Sequence, residues 1–299
     1  MVIGLLLSTL AHGAPIDAQW DLAEGAEHRW VVATAIDFPG HIFVRANRNR
    51  DVRARHLGLQ AVVDCVVGEE HRGASDVACT VEAASWTGMT FTTEAGRLQP
   101  VLEELEAKLT GATVDLRLTA DGHLRGVEID LTPVDGFINR RTRSTDQFLR
   151  MVVVRALAPL DLRIPEGGFP TTETWVDSSS LTVSMPVTWG SSASGHLVHR
   201  AIPHDDARVV VQTVGEATLV PGGFLEPGTL VLDATLEGFT VFDHDSGRVS
   251  EAVFTTTAEP TATSGPLARP YRVQNQVRAL GPDEAITLPP TRELEPPQT

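Results

Sequence analysis

The sequence predicts an α+β fold, a large curved antiparallel β-sheet of about ten to twelve strands, half-barrel-like, packed on two α-helices. Short runs that alternate apolar and polar residues recur along the 299 residues. Turn signals containing Gly, Pro or Asp separate these runs at a spacing typical of hairpins. Helical periodicity occurs in only two segments, so parallel βαβ units are not supported.

The opening β-type sequence contains two candidate strand pairs. Residues 30–36 and 41–45 are short strand-like runs, and the cluster at 37–40 predicts a turn between them. Two later alternating runs contain Cys65 and Cys79, which would face each other in a hairpin. We therefore expect a disulfide between them, and two buried free thiols are the alternative.

The clearest local signal is a hairpin over residues 112–131. Its turn, Asp121 and Gly122, is typical of a type I′ turn, and Gly126 shifts the alternation of the return strand, which predicts a bulge. The preceding residues, 100–109, place their apolar side chains on one stripe and predict the first helix.

The second helix is predicted from a capping box, Ser144 and Gln147, to Leu157. It is apolar nearly all round and is interrupted only by Arg150 and Arg155. Such a helix must be covered on more than one side, so we expect the sheet to wrap around it. Because three consecutive valines form helix weakly, a buried strand is the alternative.

The composition divides the chain into four parts. Residues 1–18 resemble a signal peptide without its positive region, and a buried N-terminal strand is the alternative. Residues 19–163 form a first β-rich half with the helices and hairpin. Residues 164–280 form a second β-rich half that is able to share one sheet with the first. The Pro-rich tail, 281–299, is expected to be disordered.

Charge and hydropathy exclude several classes of partner. The 39 acidic and 24 basic residues give a formal net charge of −15, which disfavours nucleic acid and anionic membrane surfaces. No stretch after the leader reaches the length of about 18 apolar residues that spans a bilayer, so no membrane span is expected. The leader and the cysteine pair together predict a secreted or periplasmic protein that is soluble after leader removal.

No motif for a cofactor or a reaction appears, and no cofactor is predicted. The best metal candidate is the turn that holds Asp243 and Asp245, which resembles the opening of a calcium loop. The twelfth position of that loop is Phe254 and not the required Glu, so a polar hairpin turn is the preferred interpretation.

The leading hypothesis is a non-enzymatic protein that binds a lipid or another hydrophobic small molecule in a groove between the sheet and the helices. Phe148, Leu149, Val152 and Leu157 are its candidate groove or core residues. The predicted arrangement is similar, in architecture alone, to the half-barrels of secreted lipoprotein carriers. An envelope structural module that binds an envelope protein is the second hypothesis, and a hydrolase with an unrecognised carboxylate pair is the third.

Overall fold

A computed structural model describes residues 14–46, 50–90, 98–131, 142–177, 192–220, 232–261 and 270–294. These residues form two α-helices, α1 (Gln99–Leu109) and α2 (Thr142–Leu157), and a 3-10 helix at Ala158–Leu160. The strands are β1 (Glu27–Ala46), β2 (Arg50–His71), β3 (Ala74–Thr90), β4 (Thr113–Thr119), β5 (Leu124–Asp130), β6 (Thr174–Asp177), β7 (Ser192–Pro203), β8 (Arg208–Val220), β9 (Leu232–Asp243), β10 (Arg248–Pro260), β11 (Tyr271–Ala279) and β12 (Arg292–Leu294).

All strands belong to one open curved sheet, in the order β5-β4-β3-β2-β1-β11-β10-β9-β8-β7-β6, and β12 pairs with β3. Neighbours are antiparallel, except that β12 runs parallel to β3. The pairing of β1 with β11, from Trp30 opposite Ala279 to Asp37 opposite Arg272, joins the two halves of the chain into one sheet. The predicted fold class, a large antiparallel sheet packed on two helices, is confirmed.

One face of the sheet packs on the helices and forms the core. Strand residues of alternating position, such as Trp30, Val32 and Ile36 of β1, are buried on this face. Helix α1 contacts β3 and β1, and α2 contacts β1, β11 and β5. From residue 149 to 157 of α2 only Arg150 is exposed. The helix is therefore covered on several sides, as its apolar sequence predicts.

The tight two-residue turn occurs in the β2–β3 hairpin and not in the β4–β5 hairpin, where it was predicted. The β2–β3 turn contains Arg72 and Gly73, with φ of 56° and 76°, which is the geometry of a two-residue type I′ turn. In the β4–β5 turn, Thr119 N donates to His123 O at 3.0 Å and leaves three residues in the loop. There only Gly122 has a positive φ, 85°. The type I′ turn predicted at Asp121 and Gly122 is wrong, because the strand register leaves one residue more than that turn holds.

The bulge predicted at Gly126 is confirmed. Gly126 pairs with Arg117, but the next position of β4, Leu118, pairs with Leu124, so Arg125 is the extra residue of the return strand. The turn predicted at 37–40 is wrong, because these residues lie within β1. Between the pairs Asp37–His56 and Ile42–Ala54 the register shifts. The Pro-Gly cluster is therefore accommodated as a bulge in one long strand.

The tail prediction is wrong for residues 281–294. Arg278 Nη1 and Glu284 Oε1 form an ion pair at 2.7 Å. Further along, β12 lies beside β3. Leu98 N at the start of α1 donates to Glu293 Oε2 at 3.2 Å. These polar contacts hold a proline-rich segment without requiring it to bury much apolar surface. Residues 295–299 lie outside the described residues.

The predicted leader, residues 1–18, includes residues that belong to the folded domain. Residues 1–13 lie outside the described part of the chain. Ile16, within the predicted leader of residues 1–18, forms a β-bridge with Phe169 in which each N–H donates to the other carbonyl at 2.9 Å. Ala18 and Trp20 are buried in the core. Residues 16–20 thus contribute to the folded domain.

Candidate ligand-binding cavity

Cys65 and Cys79 are directly opposite each other on β2 and β3 and form a disulfide, as predicted. Both are buried, 0% and 1% exposed. A structural disulfide favours an oxidising compartment, extracellular or periplasmic. Within the described ranges, no helix is long and apolar enough to cross a membrane.

A cavity of about 370 Å³ lies between the C-terminal end of α2 and the core-facing side of the second half of the sheet. The end of α2, the 3-10 helix and the start of β5 form one wall, and strands β7 to β11 form the other. The exposed residues Arg125, Ala158 and Asp161 lie at its rim, so the cavity reaches the surface. Its volume falls within the range of small-molecule sites in proteins, about 300–1,000 Å³.

Most of the cavity lining is apolar. The apolar side chains come from several strands: Val127, Leu197, Leu236, Phe254 and Val273. The alternation of the strands places these residues on the side of the sheet that faces the end of α2 and the 3-10 helix. The arrangement offers a hydrophobic surface to a molecule that enters from the rim.

Polar side chains interrupt this lining, and several of them pair with each other. His199 Nδ1 and Thr213 Oγ1 lie 2.9 Å apart on neighbouring strands. Burial lowers the pKa of His199 from its usual value, although the charge of Asp177 opposes this effect, and the imidazole is neutral at pH 7. Asn275 Oδ1 accepts a hydrogen bond from Thr34 Oγ1 at 2.7 Å. These pairs satisfy buried polar groups without charge.

Arg155 of α2 is a charged residue in the buried part of the cavity lining. It is 3% exposed, and its Nε and Nη2 atoms have no hydrogen-bond partner. Tyr271 of β11 lies near enough to interact with it electrostatically, but the tyrosine hydroxyl also has no hydrogen-bond partner. Burial lowers the pKa of the guanidinium, yet arginine keeps its charge in proteins. The cavity wall thus holds a buried cation.

A polar cluster centred on Arg163 lies next to the segment that follows the 3-10 helix. Arg163 bridges two carboxylates, at 3.1 Å from Asp121 and 3.3 Å from Asp177. Burial acts to raise the pKa of Asp121, but hydrogen bonds from Thr119 and Arg163 outweigh it, and the pKa lies below its usual value. Arg163 thus ties the β4–β5 turn to β6 through these two carboxylates.

Asp161, at the rim, is held by a different set of contacts. Its Oδ1 accepts a hydrogen bond from Leu124 N at 2.8 Å and lies 3.1 Å from His123 Nδ1. Desolvation raises the pKa of this carboxyl even though 34% of its side chain is exposed. Asp161 therefore fixes the first residues of β5, which form part of the cavity wall.

The groove residues predicted from the sequence lie beside the cavity and not in its lining. Leu149, Val152 and Leu157 are at most 1% exposed and belong to the core. The side chain of Phe148 lies outside the described part of the structure. From α2, the lining residues are Val154 and Arg155. The sequence does carry a signal for this face, because Arg155 interrupts the apolar surface of α2 there.

The two candidate metal ligands, Asp243 and Asp245, lie at a hairpin turn and make local contacts there. Asp243 Oδ1 accepts the Ser246 N–H at 2.9 Å in the β9–β10 turn. The side chain of Asp245 is 75% exposed and lies 3.4 Å from His244 Nδ1. No group of three or more His, Cys, Asp or Glu side chains converges within the described ranges.

No family model and no curated protein matches the sequence. Among solved structures, the chain is similar to lipovitellin, in a structure of lipid–protein interactions in lipovitellin, with 8% identity and a TM-score of 0.47. The match covers 91% of this chain and 27% of that chain, so this protein spans about a quarter of the length of lipovitellin.

Proposed function

We propose that this protein is a non-enzymatic binding protein that holds a lipid-like ligand in the cavity between α2 and the sheet. The observation that carries the proposal is the cavity itself, about 370 Å³ and lined mainly by apolar side chains. An unfilled apolar space forfeits dispersion contacts, so a hydrophobic occupant would be favourable. The hydrogen bonds of His199 with Thr213 and of Asn275 with Thr34 satisfy part of the polar lining without charge.

The proposal predicts that blocking the cavity abolishes uptake of a hydrophobic probe. Leu236→Trp adds bulk to a half-buried lining residue, and Val214→Trp adds the same bulk on β8, where the side chain is 57% exposed. Decan-1-ol binding, measured by calorimetry and native mass spectrometry, should be lost in the first variant and kept in the second. Equal binding by both variants, or no binding by the wild-type protein, would contradict the proposal.

We further propose that the protein is exported, because the disulfide favours an oxidising compartment and the first residues resemble a leader. The bridge between Ile16 and Phe169 is part of the fold, so cleavage is expected before residue 16. N-terminal sequencing of the exported protein tests this position. A mature chain that begins at residue 19 would contradict it.

A second candidate function is protein binding through a sheet edge. Strands β5 and β6 are the ends of the sheet within the described part of the chain. Val176 of β6 is 62% exposed, so a large apolar side chain lies at an edge that is unpaired within the described ranges. An edge of this kind can pair with a strand of another protein. If Val176→Lys removed capture of an envelope protein while decan-1-ol binding was absent from the wild type, this function would replace the first.

A further inference from the structure

The buried guanidinium of Arg155 is a feature that a purely apolar pocket does not require. The side chain is 3% exposed and lines the cavity. Transfer of an isolated charge from water into a protein interior is strongly unfavourable unless the charge is paired. A buried guanidinium whose contacts within the described residues are neutral therefore indicates that an anion is supplied from elsewhere.

The described part of the protein supplies no such partner. The pKa of Tyr271 is raised by burial, an effect that the nearby Arg155 only partly opposes, so its hydroxyl stays neutral at pH 7 and cannot balance the charge. Asp161 is the carboxylate in the cavity lining, and its oxygen is engaged by Leu124 N and His123. Tyr271 therefore offers Arg155 only a neutral contact, and the Nε and Nη2 atoms of the guanidinium have no hydrogen-bond partner.

The two unpartnered nitrogen atoms of Arg155, Nε and Nη2, form one edge of the planar guanidinium. This edge carries two parallel N–H donors, the geometry that binds the two oxygens of a carboxylate or phosphate. Thr240 of β9, also in the lining, has a buried Oγ1 without a partner and offers a further hydroxyl. Unpartnered donors suited to an anion are thus buried beside the apolar walls of the cavity.

We propose that Arg155 binds the anionic headgroup of an amphiphile whose alkyl or acyl chain occupies the cavity. The headgroup is a carboxylate or a phosphate, which share the oxygen pair that the guanidinium edge recognises. This inference rests on the proposed function, because the chain of the amphiphile fills the same apolar space.

The volume of the cavity and the charge of the protein agree with such a ligand. At about 30 Å³ for each water-sized group, the cavity holds on the order of a dozen heavy atoms, the size of decanoate. The net charge of −15 acts mainly through exposed groups, and salt screens these beyond about 10 Å. The local charge next to the ligand is that of Arg155.

Calorimetric titration of the full chain with decanoate, decyl phosphate and decan-1-ol tests the inference. In Arg155→Met, binding of the preferred anion should weaken about 10- to 100-fold, the factor that charge-assisted hydrogen bonds give. Binding of decan-1-ol should stay unchanged. Arg150→Met is the matched control, because it removes the same charge from an exposed position of the same helix.

The outcomes separate this inference from the proposed function. If decan-1-ol binds and neither anion binds more tightly, the cavity is a lipid site and the role of Arg155 is overturned. If none of the three probes binds, both proposals fail. A preference for decanoate or for decyl phosphate that is lost in Arg155→Met and kept in Arg150→Met supports the inference and identifies the headgroup.

If Arg155→Met does not fold, Arg155→Lys replaces it and should keep weaker anion binding, since lysine retains charge but not the paired donors. Undiminished anion binding by that variant would overturn the inference.

Discussion

Gly122→Ala is expected to destabilise the protein by about 3 kcal/mol, because the glycine combines a left-handed backbone with a close approach to Trp20. Gly122 has φ of +85°, which for alanine costs about 1 kcal/mol. A Cβ at this position would overlap Trp20 Nε1 and Leu162 O and would lie 2.5 Å from Trp20 Cδ1. These atoms form the buried hydrogen bond from Trp20 Nε1 to Leu162 O at 3.1 Å. Overpacking and loss of that bond add about 2 kcal/mol.

Gly73→Ala is the matched control for this prediction. Gly73 has a similar φ, +76°, but a Cβ there meets no atom within 4 Å. It should therefore cost only the backbone contribution, about 1 kcal/mol. Urea denaturation of both variants measures the difference, and Trp20→Phe, which removes the indole nitrogen, should reduce the cost of Gly122→Ala in a double-mutant cycle. Equal destabilisation by the two alanine variants would refute the argument from close packing.

Three further predictions concern other parts of the fold. Replacing Cys65 and Cys79 with alanine should lower the free energy of unfolding by about 3 kcal/mol, the chain-entropy value for a disulfide with a 14-residue separation, and an unchanged urea midpoint would contradict this. Burial lowers the pKa values of His28 and His199 from 6.5, so the unfolded chain takes up protons at a higher pH than the folded protein does. The free energy of unfolding should therefore fall as pH drops from 7.5 to 5.5. A flat profile from urea denaturation would argue against buried neutral imidazoles. Glu293→Ala should destabilise by about 1 kcal/mol, because its carboxylate accepts the Leu98 N–H at the start of α1, and the measured cost should be smaller for Glu293→Gln.

The parts of the fold that could be predicted from sequence are those set by neighbouring residues. The period-two pattern of β4 and β5 and the apolar character of α2 are local properties, and both elements were found where these patterns place them. The cysteine pair could be predicted because a single hairpin fixes its register. These signals also led to the correct fold class.

The features that were missed depend on contacts between distant segments. The type I′ turn falls at Arg72 and Gly73 and not at Asp121, because register across the whole hairpin decides the number of loop residues. The tail is held by Gln99, whose side-chain oxygen accepts the Glu293 N–H at 2.8 Å across nearly two hundred residues. The cavity also depends on long-range packing, since its walls come from β5, from α2 and from strands that follow α2 in sequence.

Arg155 gives the last prediction, in which stability and binding change in opposite directions. Methionine has a similar length without charge, so Arg155→Met removes the buried charge and two unsatisfied N–H donors. The free energy of unfolding of the ligand-free protein should rise by about 2 kcal/mol, and the melting temperature by about 5 °C. Arg150→Met, at an exposed position, should change stability by less than about 0.5 kcal/mol.

Thermal unfolding of delipidated protein measures both variants. A loss of stability in Arg155→Met would mean that the guanidinium is held by partners within the folded chain, and the anion site would lose its basis. If Arg155 serves the ligand, Arg155→Met should gain stability and lose binding of decanoate or decyl phosphate. Such a residue destabilises the empty protein, because its charge is balanced only when the headgroup is bound.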